Sequence, residues 1–375
     1  MRKETLAIHA THLQDETAAS IAPPVFLTTT FERSEDGTYP KGHMYSRNSN
    51  PNRDVLEKGL AQLEGGEIAF VFGSGLAAVS AVFQCMQSGD HVLMPMVGYY
   101  ASYKLAEEIM GPWGLQVSQV DMTDLDAIEA AIRPETKLIW VETPANPLLT
   151  LSDIEAICKI AHARNILVGV DNTLTSPILQ NPIQFGADIV MHATTKYIGG
   201  HSDVLGGAVV FKAASGWSER VKRVQILMGA TQNPLDCYLL ARGLKTLPLR
   251  MREHSKNALE LAIRLEKHAG IEQVHYPGLP SNPNYALAIK QMPQGQSGMI
   301  AIQLKGDEAH ARKVANRLQL FQQATSLGGV ESLVEHRRSI EGPGSTTPGN
   351  LLRLSIGLEH VEDLWEDLNQ AILGA

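Results

Sequence analysis

Four strand-like runs of this 375-residue chain end in residues whose types could do chemistry together. The run ADIVMHATT, from Ala187, delivers Lys196, which is followed by Gly199, Gly200 and His201. The run ILVGVD, from Ile166, closes on Asp171. Each has an ordinary explanation when taken alone, a lysine snorkelling to the surface and a carboxylate capping a helix. A third run, ending at Phe72, turns through Gly73-Ser74-Gly75 into an apolar helical pattern, which sets free backbone N–H groups and the positive end of a helix dipole beside a small-residue turn. A plain strand-to-helix turn would use the same glycines. The fourth ends Glu142-Thr143-Pro144-Ala145-Asn146-Pro147, an amide side chain at a proline-bounded turn. As a set they supply an amine able to form a Schiff base, a carboxylate to keep a pyridine nitrogen protonated and a cradle for a phosphate. Those are the needs of pyridoxal 5′-phosphate (PLP).

The positioning elements are legible around them. From about residue 55 to 212, short apolar runs alternate with helical patterns, the signature of βαβ units and of a mostly parallel sheet with its ligand site at the carboxyl ends of the strands. Seven strands are expected, starting near Ile68, His91, Leu115, Lys137, Ile166, Ala187 and Gly206, with helices over 75–87, 101–109, 124–132 and 153–164. Asp124 and Ser152 or Asp153 are the expected N-caps. From Asn233 a long helical pattern runs past Pro248, where an interruption is expected. The remainder mixes strand-like SGMIAIQLK and LLRLSIG with the helical AHARKVANRLQ and VEDLWEDLNQAI. The fold class is therefore α/β, a large mostly parallel seven-stranded sheet domain plus a smaller C-terminal α+β domain. The expected division is 1–50 as an arm packed on something else, 51–245 as the cofactor domain and 246–375 as the smaller domain.

Composition narrows the partners. A formal charge of -8 with no basic block provides no electrostatic footprint for nucleic acid or an anionic membrane, and no apolar stretch approaches a membrane span. Cys85, Cys158 and Cys237 are odd in number and lie far apart, without metal-ligand or disulfide spacing, so no metal is expected and a reducing cytoplasm is the expected setting. A small-molecule substrate is the partner these features favour.

The motifs YSRNSNPNR, GSGLAAVSA, ETPANP, VDNT, TTKYIGGHSDVLGG, TSLGGVESL and LLRLSIGLE, in this order along nearly the whole chain, together resemble the cysteine/methionine-metabolism family of fold-type I PLP enzymes. That family includes cystathionine γ-synthases, γ-lyases and β-lyases and methionine γ-lyases. The resemblance implies that Lys196 forms the Schiff base and moves protons, that Asp171 pairs with the pyridinium, and that Tyr99 stacks on the ring, with Tyr100 one residue out of phase. It further implies phosphate contacts from Gly75, Leu76 and Thr195, a contact from Asn146 to the cofactor's 3′-oxygen, and a grip on the substrate α-carboxylate by Arg353 and Ser326. Tyr45 and Arg47 match a pair that reaches the phosphate of a neighbouring subunit, which implies shared sites in a homotetramer built from two dimers.

The chain departs from the pattern in places. Ala193 stands where relatives often carry a phosphate-binding serine, and Ala101 where methionine γ-lyases have a reactive cysteine. Asn48 and Thr325 replace residues that could hold a distal amino-acid group, and EHRRSIEGPGSTTPG replaces an HPASMTH-like stretch in the 335–349 loop. The implied reaction is γ-elimination or γ-replacement on cystathionine or homoserine esters. Cystathionine β-lyase and methionine γ-lyase are alternatives within the family, and a PLP-dependent aminotransferase is the alternative from another class.

Overall fold

The computed structural model describes residues 1–341 and 345–375; Gly342, Pro343 and Gly344, in the segment that departs from the family pattern, lie outside the described residues. Seven strands form the larger sheet: β1 Ile68–Phe72, β2 His91–Pro95, β3 Gln116–Val120, β4 Thr136–Glu142, β5 Leu167–Asp171, β6 Ile189–His192 and β7 Gly207–Phe211. Their order is β1-β7-β6-β5-β4-β2-β3. All neighbours run parallel except around β7, which is antiparallel to both β1 and β6. β4, β5, β6 and β7 are buried along almost their whole length, as near-continuous apolar strands covered on both faces must be. β3, at the sheet edge, is instead exposed or half-buried until Val120.

Helix caps fix where the crossovers begin. The Ser74 hydroxyl accepts the Ala77 N–H at 3.1 Å to start α3, after α1 (Lys3–His9) and α2 (Pro51–Glu64), with α3 covering Gly75–Phe83. The Asp124 and Asp153 carboxylates accept the Ala127 and Ala156 N–H groups, each at 3.0 Å, so of the two expected candidates for the later cap it is Asp153. Tyr100–Lys104 opens as an α-helix and widens to a π-helix over Leu105–Met110, in place of one regular helix.

A second sheet, ordered β10-β11-β12-β9-β8, comprises β8 Ile271–His275, β9 Met299–Leu304, β10 Gln322–Gln323, β11 Leu333–His336 and β12 Leu351–Ser355. Helices Glu308–Arg317 and Val361–Leu373 pack on it around Ile300, Ile302, Leu352 and Leu354. The helix Pro234–Glu266 spans from one core to the other, with Leu240, Leu244 and Leu247 in the first and Ala258, Leu261 and Leu265 in the second. It is continuous through Pro248, which differs from the expected interruption. Leu244, Leu247 and Met251, on either side of the proline, are buried in the same core and hold the helix across it.

The first fifty residues have little core of their own. α1 packs on α2 and the long helix, with Ala7 buried. Beyond it the chain runs over the surface, pinned where the Asn52 side chain accepts the Phe26 N–H at 2.9 Å and donates to the Pro24 carbonyl at 2.8 Å. Ile21, Leu27, Met44 and Tyr45 are exposed along it.

Candidate active site

The carboxyl ends of β4, β5 and β6, the N-terminus of α3, and Arg353 of the second sheet with the 325–327 segment beside it surround a cavity of about 290 Å³. The alignment follows from register: Glu142 pairs with Asp171 across β4 and β5, and Asp171 with Met191 across β5 and β6. The chain then leaves β6 through Ala193-Thr194-Thr195 to Lys196, which lines the cavity.

Lys196 Nζ donates to the Ser326 hydroxyl at 2.8 Å. Burial, with the nearby Arg353 charge adding, pulls its pKa down to about 8. Near neutral pH such an amine is partly unprotonated and so available as a nucleophile and a base.

Asp171 is 9% exposed and makes no salt bridge among the described residues. Its Oδ1 accepts the Thr173 N–H at 3.0 Å, and the Thr173 hydroxyl in turn accepts the Ala193 N–H at 2.8 Å. Burial raises its pKa and also holds Glu142 well above the usual carboxylate range, with the neighbouring Asp171 charge adding for Glu142. Two buried carboxyls on adjacent strands with no cation between them favour carrying one charge rather than two. Asp171, with Thr173 donating, is the better placed to hold it. Glu142 braces the walls: it accepts the Tyr99 N–H at 2.6 Å and the Asn146 N–H at 3.0 Å. Tyr99 lines the cavity; its neighbour Tyr100 does not.

Opposite, Arg353 lies on β12, 5% exposed among apolar strand residues. Its Nη1 donates to Asn146 Oδ1 at 3.0 Å and its Nη2 to the Ser326 carbonyl at 3.0 Å. The anionic partner that a buried arginine demands is Glu335, 2.6 Å from Nη2.

The α3 terminus approaches the sheet closely. A Cβ on Gly207 of β7 would lie 2.3 Å from the Ser74 carbonyl, and one on Gly75 would lie 3.0 Å from Ala193 Cβ, so glycine at both sites lets the turn sit against the strands. The Thr195 hydroxyl beside it exchanges hydrogen bonds with Gly206, accepting at 3.0 Å and donating at 3.1 Å.

Of the residues singled out from sequence, Gly75, Leu76, Tyr99, Asn146, Asp171, Thr195, Lys196, Ser326 and Arg353 all line this one cavity. Tyr45 and Arg47 do not: both are exposed, with the Arg47 guanidinium 5.7 Å from the Tyr45 ring centroid and its Nη1 donating to the Ile226 carbonyl at 3.1 Å. Sequence reasoning passed over Glu142, Thr173, Glu335 and Arg337. Glu142 and Thr173 were signalled by their place at the polar ends of apolar strands. Glu335 and Arg337 fall in the 335–349 stretch that departs from the family pattern, but what each touches depends on surroundings set by the second sheet.

The donor set suits PLP on its own chemistry. A depressed amine, a buried carboxylate without a salt bridge, a helix N-terminus and a buried arginine line one space. Among the described residues no helix is long and apolar enough to cross a membrane, and no group of three or more His, Cys, Asp or Glu is placed to hold a metal ion. The sequence profile described as Cys/Met metabolism PLP-dependent enzyme matches residues 4–373. Cystathionine gamma-synthase of Mycobacterium tuberculosis is 43% identical over 374 residues, spanning 98% of this chain and 96% of that one. Cystathionine beta-lyase of Coxiella burnetii is 40% identical over 378 residues, spanning 98% and 97%. The crystal structure of metB from Corynebacterium glutamicum superposes with a TM-score of 0.96 at 40% identity, covering 100% of this chain and 98% of that one. With such matches over its full length, and with the fold-type I architecture described above, this chain belongs to the Cys/Met metabolism family of PLP-dependent enzymes.

Proposed function

We propose that the chain is a trans-sulfuration enzyme that acts on sulfur-containing amino acids of the cystathionine or homoserine-ester type, by γ-elimination or γ-replacement. The observation that carries this reading is the convergence of Lys196, Asp171, the α3 N-terminus and Arg353 on one cavity. When bound, PLP supplies an electron sink that stabilises negative charge at the substrate Cα. Gly75 and Leu76 N–H groups with the Thr195 hydroxyl would hold its phosphate, Asn146 its 3′-oxygen, Asp171 the proton on its ring nitrogen, and Tyr99 would stack on the ring. Arg353, steadied by Asn146 and the Ser326 carbonyl, would fix the substrate α-carboxylate and so turn the Cα–H toward Lys196. Lys196 Nζ, its pKa lowered to about 8, takes that proton. A β-leaving group needs no second deprotonation; a γ-leaving group requires removal of a Cβ proton as well, for which Lys196 and the Tyr99 hydroxyl are at hand.

Tyr45 and Arg47 sit on the exposed arm, and the apolar side chains beside them are the kind that a neighbouring subunit covers. They would complete the phosphate site of a second copy of the chain, in a dimer and, by extension, a cytoplasmic homotetramer. A β-lyase is the second reading, favoured by Ala193 in the lysine motif and by the likeness to a cystathionine beta-lyase. Incubation with cystathionine separates the two. 2-Oxobutyrate with cysteine means γ-cleavage; pyruvate with homocysteine means β-cleavage. No 2-oxo acid from cystathionine, together with no thioether from a homoserine ester and cysteine, would remove the trans-sulfuration reading.

A further inference from the structure

Arg337 lies in the stretch that departs from the family pattern, is 4% exposed, and lines the same cavity as Lys196 and Arg353. Its Nη1 donates to Glu335 Oε2 at 3.1 Å and its Nε to Glu341 Oε1 at 2.9 Å. The same Glu335 oxygen lies 2.6 Å from Arg353 Nη2. One carboxylate oxygen therefore holds two buried guanidiniums within two hydrogen-bond lengths of each other. Arg337 Nη2 has no acceptor among the described residues, and neither does Glu335 Oε1 have a donor.

Burying a guanidinium is costly unless its donors find acceptors, and its planar fork is shaped for a carboxylate. Lys196, Arg337 and Arg353 all line the cavity; Glu335 and Glu341 pair with the two guanidiniums from behind, but neither carboxylate lines the cavity itself. Thr325, on the same wall, is neutral and supplies no competing anion. Arg353 is committed to the α-carboxylate in the reading above, which leaves Arg337, its Nη2 without an acceptor among the described residues, as the other guanidinium lining the same space.

We propose that Arg337 is a specificity-determining residue that binds a second carboxylate on the substrate, favouring amino acids with an acidic tail over those with a neutral one. This inference rests on the cavity being an amino-acid site and specifies the class of substrate it takes. An arginine that only clamps its own segment through Glu335 and Glu341 would make no such distinction.

The test is calorimetric titration of the PLP-loaded protein with glutarate and with butyrate, which differ by one carboxylate. Wild type is expected to bind glutarate about tenfold more tightly or better, as a hydrogen-bonded charge pair provides. Arg337→Met should bring glutarate to within about twofold of butyrate while leaving butyrate unchanged, and Arg337→Lys should keep part of the preference. Equal binding of the two acids by wild type, or parallel weakening of both in Arg337→Met, overturns the proposal. Should Arg337→Met not fold, the wild-type comparison and Arg337→Lys decide: a reduced glutarate preference in Arg337→Lys supports the proposal, and an undiminished one overturns it. Because no turnover is involved, an enzyme that fails the cystathionine assay still yields a readable answer.

Discussion

Replacing Asp171 by asparagine should move cofactor-free and cofactor-loaded protein in opposite directions. In the cofactor-free chain Asp171 is a carboxylate raised in pKa by burial, held by Thr173 and without a salt bridge among the described residues. A carboxyl whose folded pKa lies above its unfolded value costs stability at any pH above the unfolded value, by about 1.4 kcal/mol for each unit of elevation. Asparagine is isosteric, keeps an acceptor for the Thr173 N–H and removes that cost. The cofactor-free variant should therefore be as stable as wild type at pH 7–8 or more stable. With PLP bound, the same change leaves a buried pyridinium without its counter-charge. Removing one partner of a buried pair costs about 3–5 kcal/mol, which at about 1.4 kcal/mol per decade is roughly a 10²–10³-fold loss of cofactor affinity. Denaturant unfolding of the cofactor-free chain, and PLP retention followed by visible absorption during dialysis, measure the two halves. A variant that loses more than about 1 kcal/mol without cofactor yet retains PLP like wild type would refute the reasoning, because Asp171 would then be a structural residue.

Three other outcomes follow from the geometry. Gly207→Ala places a Cβ 2.3 Å from the Ser74 carbonyl and 2.8 Å from Gly75 Cα, so thermal unfolding should show a loss of about 1–3 kcal/mol with weaker PLP binding. Gly216→Ala, whose Cβ meets nothing within 4 Å, should leave both unchanged, and identical behaviour of the two variants would contradict the close approach. The rate at which cofactor-free protein takes up PLP should rise about tenfold per pH unit and level off near pH 8, since the neutral Lys196 amine is the reactive form and its pKa is lowered to about 8; a rise continuing past pH 10 would mean an unshifted lysine. Mixing inactive Lys196→Ala and Arg47→Ala chains should restore some turnover if Arg47 serves a neighbouring subunit, and confirmed mixed oligomers without any activity would count against sharing.

Much of this site could be read from sequence because its chemistry sits at strand ends. Lys196 and Asp171 interrupt apolar runs, and Gly73-Ser74-Gly75 marks a strand turning into a helix, so local pattern alone located three of its parts. Arg353 was conspicuous for the same reason, a charge inside LLRLSIG, and its need for an anion was evident although the anion's identity was not. Glu335 could not be found that way. It meets Arg353 through antiparallel pairing of β11 with β12, a register that depends on β11, a strand of four residues too short to stand out. β8 and β10 escaped for a related reason, being largely or partly exposed and lacking an apolar signature. Pro248 misled because proline's cost to a helix is local, whereas the core shared by Leu244, Leu247 and Met251 on either side of it exists only in the folded chain. The arm was legible as lacking a core, and Tyr45 and Arg47 are exposed on it.

Lys196 is the residue on which the cofactor should be held. Purified protein loaded with PLP is reduced with borohydride, digested and examined by mass spectrometry. The expected result is one pyridoxyl adduct, on the peptide containing Lys196, which disappears in Lys196→Ala along with the visible absorption. An adduct on another lysine, or wild-type absorption surviving in Lys196→Ala, would contradict the site described here.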